Sequence, residues 1–149
     1  MPVISVADAA GELLVVRYFG SLTAEAILAS NAESAGMVTR SGPFATLLIF
    51  ESSVDLSTID AAAVKTIRQT RKQQFLDYGL QRRAGAAVVE AAQDANLLLP
   101  LWNALSDTDP EVDLRVKLFH DFGPALAWLG IDAALAMPLV ARTGHAPRA

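Results

Sequence analysis

Leu-Arg-Val-Lys-Leu-Phe-His-Asp-Phe-Gly-Pro-Ala-Leu-Ala-Trp-Leu-Gly, residues 114–130, is the stretch of sequence that indicates the fold most directly. Apolar and basic residues alternate at its start, which predicts a half-buried strand with Leu114, Val116 and Leu118 facing inward. Asp121 is a favourable N-cap residue and Gly130 a favourable helix stop. The stretch therefore predicts a last strand, a turn and a short closing helix.

Two unbroken apolar runs precede this stretch, one at Leu47–Phe50 and one at Ala86–Val89. Such short runs are typical of strands covered on both faces, as in a parallel sheet, so we expect both to be central, parallel and buried. A long helix is predicted between them, from about Thr58 to Tyr78, with Ser57 as its cap and Gly79 as its end.

The other segments alternate in the same way. The remaining predicted elements are strands at Val3–Val6 and Leu13–Phe19 and helices at about 24–35 and 94–106. The predicted class is α/β, with a mixed, mostly parallel sheet of about five strands, about four helices and an N-terminal β-hairpin. We expect residues 1–130 to form one domain and residues 131–149 to form a C-terminal tail docked on it.

The composition excludes several functional classes. The 149 residues are 52% hydrophobic and 19% charged, which is typical of one folded domain. The formal net charge of −4 argues against general nucleic-acid binding. The absence of cysteine excludes disulfides, thiol catalysis and zinc–cysteine sites. No apolar run approaches the ~20 residues of a membrane span, and no signal peptide is visible, so we expect a cytoplasmic protein.

Read together, these elements resemble the STAS and SpoIIAA-like superfamily, the fold of bacterial anti-sigma-factor antagonists. The matching features are the opening hairpin that ends at Val15–Gly20, the helix capped at Thr23, the apolar strand at Leu47–Phe50 and the closing segment Phe119–Gly130. The resemblance covers about residues 3–130. It implies a stand-alone, non-enzymatic regulatory or protein-interaction module.

The resemblance also bears on phosphorylation and on ligands. Regulatory members of the family are phosphorylated on a serine that follows an aspartate, and the matching positions here are Asp60, Ala61 and Ala62. Alanine offers no oxygen nucleophile, so the phosphoacceptor is absent at this place.

Other relatives of the fold, such as CRAL-TRIO domains, bind lipids or small apolar molecules. A carrier or sensor for a small apolar, lipid-like ligand is therefore the alternative function.

Arg71 is the most unusual candidate for ligand binding, because it lies on the apolar side of the predicted long helix. Either its head group reaches solvent past packed methylenes, or it is paired in a pocket. A helix of about 30 Å overhangs a strand of about 20 Å, which favours the first alternative. The residues that we expect to line a ligand pocket, with plain core packing as the alternative, are Arg71, Tyr78, Trp102, Phe119, Phe122 and Trp128.

Polar residues follow the predicted strands at the edge where open α/β sheets form their sites. This strand-end polar cluster consists of Glu51, Ser52, Ser53, Glu90, His120 and Asp121. Convergence of an acid, a hydroxyl and an imidazole there would indicate an enzyme, but no catalytic motif accompanies these residues, and we expect no enzymatic activity. Neither His120 nor His145 has the spacing of a metal site, so no metal and no cofactor are expected.

The predicted tail contains Leu135, Met137, Leu139 and Val140. Such a patch is unfavourable in water, so it must cover the protein's own sheet or helices, or a second subunit. Symmetric dimers are the commonest soluble oligomers, and we expect a homodimer in which the tail takes part. An aromatic-lined pocket of several hundred cubic ångströms would favour the ligand carrier, whereas an exposed apolar patch without a pocket would favour the interaction module.

Overall fold

The computed structural model describes residues 2–38, 42–90 and 94–144, without the side chains of 94–97, so His145 and the rest of 145–149 lie outside the described residues. Within these residues the chain forms five strands and five helices. In chain order they are β1 (Val3–Ala7), β2 (Leu13–Tyr18), α1 (Ala24–Ser34), β3 (Phe44–Phe50), α2 (Ala61–Tyr78), β4 (Arg82–Val89), α3 (Asp94–Thr108), β5 (Lys117–Phe119), α4 (Phe122–Leu129) and α5 (Ala133–Thr143). None of the described helices is long and apolar enough to span a membrane.

The sheet confirms the predicted α/β class. Its strands lie side by side in the order β1-β2-β3-β4-β5. β1 and β2 form an antiparallel hairpin, and the pairs from β2 to β5 are parallel. In the hairpin turn the Asp8 carboxylate accepts hydrogen bonds from the backbone of Glu12 at 2.7 Å and Leu13 at 2.9 Å. Gly11 has a φ of 70°, which glycine adopts without steric cost.

The two unbroken apolar runs lie where they were predicted. Leu47–Phe50 belongs to β3, which pairs with β2 and β4, and Ala86–Val89 belongs to β4, which pairs with β3 and β5. Leu47 and Ile49 are fully buried, as is Ala86. The prediction of central, parallel, buried strands is confirmed, because each strand is covered on both faces.

Side chains alternate between two cores, one on each face of the sheet. Leu14 and Val16 of β2 join the core beneath α1, α2 and α3. Leu13 and Val15 of the same strand join the core beneath α4 and α5. Helices therefore form a layer on each side of the sheet, and the larger layer consists of α1, α2 and α3.

The start of α2 differs from the prediction. The helix begins at Ala61 rather than Thr58, and its cap is Asp60, whose carboxylate accepts a hydrogen bond from the Ala63 amide at 2.8 Å. Ser57 is not the cap, because its amide donates to the Asp55 carboxylate at 2.9 Å in the preceding turn. The end of α2 is as predicted, with Gly79 in the left-handed conformation at a φ of 63°.

The last strand is shorter than predicted. β5 covers only Lys117–Phe119, and Leu118 is 37% exposed rather than inward-facing. Leu114 and Val116 are buried as expected, but their backbone bonds come from α3 side chains. Asn103 accepts from the Val116 amide at 2.8 Å and donates to its carbonyl at 2.9 Å, while Trp102 donates to the Leu114 carbonyl. These side chains take the place of a sheet partner before β5 begins.

The closing segments follow the prediction in position. Asp121 occupies the N-cap position of α4 but makes no side-chain capping hydrogen bond, and Gly130 ends the helix at a φ of 68°. The predicted tail forms α5, which raises the number of helices from about four to five among the described residues. Leu139 and Val140 of α5 are buried in the core on the protein's own sheet, so the tail packs on its own domain.

Candidate functional site

A cavity of about 120 Å³ lies between the sheet and the layer formed by α1, α2 and α3. We call it the inner cavity. Its walls are mostly apolar, and typical lining residues are Val16, Leu48, Ile67, Phe75, Leu99 and Trp102. The polar or charged lining residues are Tyr18, Asn31, Thr46, Arg71 and Arg82.

Arg71 brings a positive charge into this apolar space. Its side chain does not reach solvent as predicted, since the residue is only 8% exposed. Nη1 donates to the Asn31 carbonyl of α1 at 2.8 Å and to Gln74 Oε1 at 3.1 Å, and the guanidinium lies 5.2 Å from the centre of the Phe75 ring. Because the neighbouring helix α1 accepts this hydrogen bond, the head group of Arg71 stays in the interior.

The rest of the Arg71 guanidinium has no partner among the described residues. Within residues 2–38, 42–90 and 94–144, Nε and Nη2 make no hydrogen bond, and no carboxylate forms an ion pair with Arg71. Burial lowers the pKa of Arg71 to about 10, an effect that the nearby Tyr18 partly opposes. The side chain remains protonated at neutral pH, so an uncompensated cation lies in the core, which is normally unfavourable.

Tyr18 supplies a neutral polar group to the same space. It is 7% exposed and stacks on Phe50 with 4.8 Å between ring centres. Burial raises the pKa of Tyr18 to about 12, although the charge of Arg71 acts in the opposite direction. The phenol is therefore un-ionised at neutral pH. Neither its hydroxyl nor that of the buried Thr46 makes a hydrogen bond in the described part of the chain, so both are available to a ligand.

Arg82 closes the cavity near the start of β4. Its Nη2 donates to the carbonyls of Arg115 and Asp113, while its Nε is buried without a hydrogen-bond partner among the described residues. A Cβ atom at position 85 would lie 2.6 Å from Arg82 Nη1, so Gly85 leaves the space through which this side chain passes. Arg82 is thus held mainly by backbone carbonyls.

The structure does not bring the six predicted ligand-binding residues together. Arg71 and Trp102 line the inner cavity. Tyr78 is 47% exposed in the last turn of α2. Phe119 and Phe122 pack against the core on the opposite face of the sheet, and Trp128 of α4 is 45% exposed with its ring centre 6.0 Å from that of Phe119. The prediction mixed residues from the two helix layers, and these layers lie on opposite sides of the sheet.

Four polar residues of the inner cavity were not predicted: Tyr18, Asn31, Thr46 and Arg82. The signal for Tyr18 was available, because residues two apart on a strand share a face and Tyr18 continues the row of Leu14 and Val16. Thr46 has the same signal, because it lies two residues before Leu48 on the same strand. Arg82 has no comparable local signal, since it reaches the cavity only through the pairing of β3 and β4.

The strand-end polar cluster serves mainly to connect loops. Glu51 pairs with Arg17 at 2.9 Å, and Glu90 accepts a hydrogen bond from the Ser52 amide at 3.3 Å. The Ser53 hydroxyl accepts from the Gly20 amide at 3.1 Å. These contacts engage the acidic and hydroxyl groups in holding the ends of β2, β3 and β4 to one another.

The histidine end of the cluster contacts the end of β4. His120 Nδ1 lies 3.3 Å from the Val89 carbonyl, and Asp121 occupies the N-cap position of α4. No serine of the described chain makes a hydrogen bond to His120, so the structure does not assemble a Ser–His–acid arrangement there. The same residues contain no group of three or more His, Cys, Asp or Glu side chains that could hold a metal ion.

Comparison of the chain with protein-family models, with curated proteins and with solved structures finds no match in any of the three. The fold and the cavity define the chain as an α/β domain with a mixed five-stranded sheet and a largely apolar interior site. Its function has to be inferred from that site.

Proposed function

We propose that this chain is a non-enzymatic binding domain that carries or senses a small ligand with a largely apolar body. The observation that supports this proposal is the inner cavity, which holds a buried arginine with two unused nitrogen donors. Protein interiors are close-packed and contain few voids larger than a water molecule. A space of this kind with polar groups on its wall is more typical of a ligand site than of imperfect packing.

The size of the cavity limits the ligand. Its volume of about 120 Å³ is smaller than the several hundred cubic ångströms that we expected for a carrier. An apolar cavity of roughly 150 Å³ in another protein accommodates benzene, whereas sites for drug-sized molecules have roughly 300–1,000 Å³. The inner cavity therefore suits a small ring or a short alkyl chain.

Tryptophan fluorescence tests the proposal, because the chain has two tryptophans and they lie on opposite faces of the sheet. A Trp128→Phe variant retains only Trp102, which lines the inner cavity. We expect a saturable change in its fluorescence on titration with 1-butanol, which is small enough for the cavity. The matched Trp102→Phe variant retains only Trp128 and should not respond. No response in the first variant, or an equal response in both, would refute the proposal.

The relation to the STAS and SpoIIAA-like superfamily is also a proposal. It is supported by the N-terminal hairpin followed by a parallel sheet and by the capped start of α1 at Thr23. We propose that the phosphorylation switch of the regulatory members is absent, because Ala61 and Ala62 follow the capping Asp60 at the start of α2. An anti-sigma-type kinase should leave this segment unlabelled, and phosphate on Ser57 or Thr58 in phosphopeptide mapping would contradict the proposal.

A second candidate function is a protein-interaction module that forms homodimers. It is favoured by three exposed apolar side chains on the contacting helices α4 and α5, namely Trp128 at 45%, Leu135 at 38% and Met137 at 40%. Leu135→Glu combined with Met137→Glu should reduce the sedimentation mass from dimer to monomer without lowering the melting temperature. An unchanged mass would exclude the exposed apolar residues of α5 from a dimer interface. A cytoplasmic location stays a prediction of the sequence.

A further inference from the structure

The unused edge of the Arg71 guanidinium has a definite chemical preference. Nη1 is occupied by Asn31 and Gln74, which leaves the Nε–H and one Nη2–H side by side. Two parallel N–H donors of this kind match the two oxygens of a carboxylate, and such bidentate pairs are among the stronger hydrogen-bonded contacts in proteins.

The charges around the inner cavity favour an anion at this edge. Arg68, one helical turn before Arg71, is neutralised by Asp109 at 3.3 Å. Arg82 donates to the carbonyls of Arg115 and Asp113. Arg71 alone of these three lacks both a carboxylate and partners for Nε and Nη2 within the described chain. A buried cation without a counter-charge is unfavourable, and an anionic ligand would remove that cost.

The surroundings of Arg71 further restrict the anion. Tyr18 is un-ionised at neutral pH, so its hydroxyl is able to donate one hydrogen bond to the ligand. Most of the remaining cavity wall is apolar. Arg82 also lines the cavity, but its Nη2 is already bound to the carbonyls of Arg115 and Asp113, and among its buried nitrogens only Nε lacks a partner within the described residues. The paired Nε and Nη2 donors of Arg71 therefore form one guanidinium edge, which balances a single negative charge.

We propose that the ligand of the inner cavity is a small monocarboxylate with an apolar body, whose carboxylate accepts two hydrogen bonds from Arg71. This inference rests on the proposed function and adds the chemical class of the ligand to it. The apolar body occupies the space between β2, β3 and α3, and the carboxylate replaces the missing counter-ion of Arg71.

The test compares butanoate with 1-butanol, which have the same chain length, differ in the head group and are small enough for a cavity of about 120 Å³. Binding is measured by the fluorescence of Trp102 in the Trp128→Phe background. We expect butanoate to bind at least about tenfold more tightly than 1-butanol, as a charge-assisted bidentate contact predicts. Arg71→Met should abolish this preference while 1-butanol still binds. Lys65→Met removes an exposed cation from the same helix and should leave the preference unchanged.

The remaining outcomes of this binding test distinguish failure of the carboxylate assignment from failure of the proposed function. Equal binding of both compounds would overturn the carboxylate assignment but retain the apolar site, whereas binding of neither would refute the proposed function as well. Tighter binding of butyl phosphate than of butanoate would also overturn the assignment. If Arg71→Met does not fold, Arg71→Lys serves instead, because lysine keeps the charge without the planar pair of donors. It should lose most of the preference, and an unchanged preference would count against the proposal.

Discussion

The hydrogen bonds around Arg71 indicate that the fold does not need its charge. Its one protein-directed nitrogen donates to the Asn31 carbonyl, which also accepts from the Ala35 amide at 3.1 Å and the Ser34 hydroxyl at 3.2 Å. That carbonyl stays satisfied when Arg71 is replaced. The residue therefore belongs to the class of buried charges whose removal need not weaken the fold.

Replacement of Arg71 by methionine should leave the free energy of unfolding unchanged or raise it by about 1–2 kcal/mol. The reason is that an uncompensated buried cation is exchanged for an apolar side chain of similar length. Urea denaturation measures this difference in the protein without ligand. A decrease of more than about 2 kcal/mol would show that Arg71 has a structural role instead.

Tyr18 should ionise only at high pH. In a Tyr78→Phe variant it is the sole tyrosine, and its phenolate absorbance should have a midpoint at about 12, compared with 10.0 for the unperturbed group. Because the folded pKa is the higher one, the stability that Tyr18 contributes is complete below pH 10.0 and is lost as the pH rises towards about 12. The chemically denatured variant is the control, and a midpoint near 10 in the folded protein would contradict the burial of this phenol.

At the level of single residues, the sequence predicted which side chains face inward better than it predicted their partners. The helical wheel placed Arg71 on the apolar side of α2, and this was correct. The expected exit to solvent was wrong, because Asn31, separated from Arg71 by 40 positions, meets its head group from α1. A contact of this range leaves no periodic trace in the sequence.

Among the secondary-structure elements, the connection between α3 and β5 depends on one arginine of α2. Arg68 is 3% exposed and donates to the Ser106 hydroxyl at 3.3 Å and to the carbonyls of Asp109 and Val112, both at 3.0 Å. Lys72, one turn later on α2, binds the Asp109 carboxylate at 2.9 Å. These contacts hold the segment that leads to β5 against α2.

Arg68→Met should lower the free energy of unfolding by about 2–4 kcal/mol, because it removes the donor to two backbone carbonyls and to the buried Ser106 hydroxyl, while the Asp109 carboxylate keeps only Lys72. The effect contrasts with that expected for Arg71→Met, although both residues are buried arginines on the same helix. Guanidinium denaturation of both variants measures the contrast. Equal effects of the two substitutions would contradict the assigned roles.

The elements themselves were largely predictable, but several of their ends were not. The position of Gly79 and the apolar runs of β3 and β4 are local signals, and the structure agrees with them. The start of α2 depended on whether Ser57 or Asp60 caps the helix, and both residue types are good caps. β5 is short because Asn103 of α3 forms hydrogen bonds with the backbone amide and carbonyl of Val116, the residue before the strand.

In the whole molecule, α5 covers part of the sheet that would otherwise face water. Deletion of residues 131–149 should expose Leu13 and Val15 and cause a lower melting temperature or aggregation. The matched deletion of 145–149 leaves α5 intact and should retain the melting temperature of the full chain. Differential scanning calorimetry distinguishes the two, and equal melting temperatures would show that α5 is dispensable.

The candidate site was harder to predict than the fold for a reason that concerns the molecule as a whole. Alternation of strands and helices is encoded along the chain, whereas the choice of sheet face for each helix is not. Trp102 and Trp128 had similar sequence environments, yet α3 places one in the inner cavity and α4 places the other on the opposite side. The sequence therefore identified Trp102 as a residue of the cavity, but it could not show that Trp128 lies on the other face of the sheet.

A crystal structure of the protein grown with saturating butanoate is the most direct test of the proposed site. We expect one butanoate in the inner cavity, with its carboxylate oxygens within about 3.2 Å of Arg71 Nε and Nη2. Its alkyl chain should contact Trp102. An inner cavity without butanoate at saturation, or butanoate bound only on the surface of the protein, would contradict the proposed site.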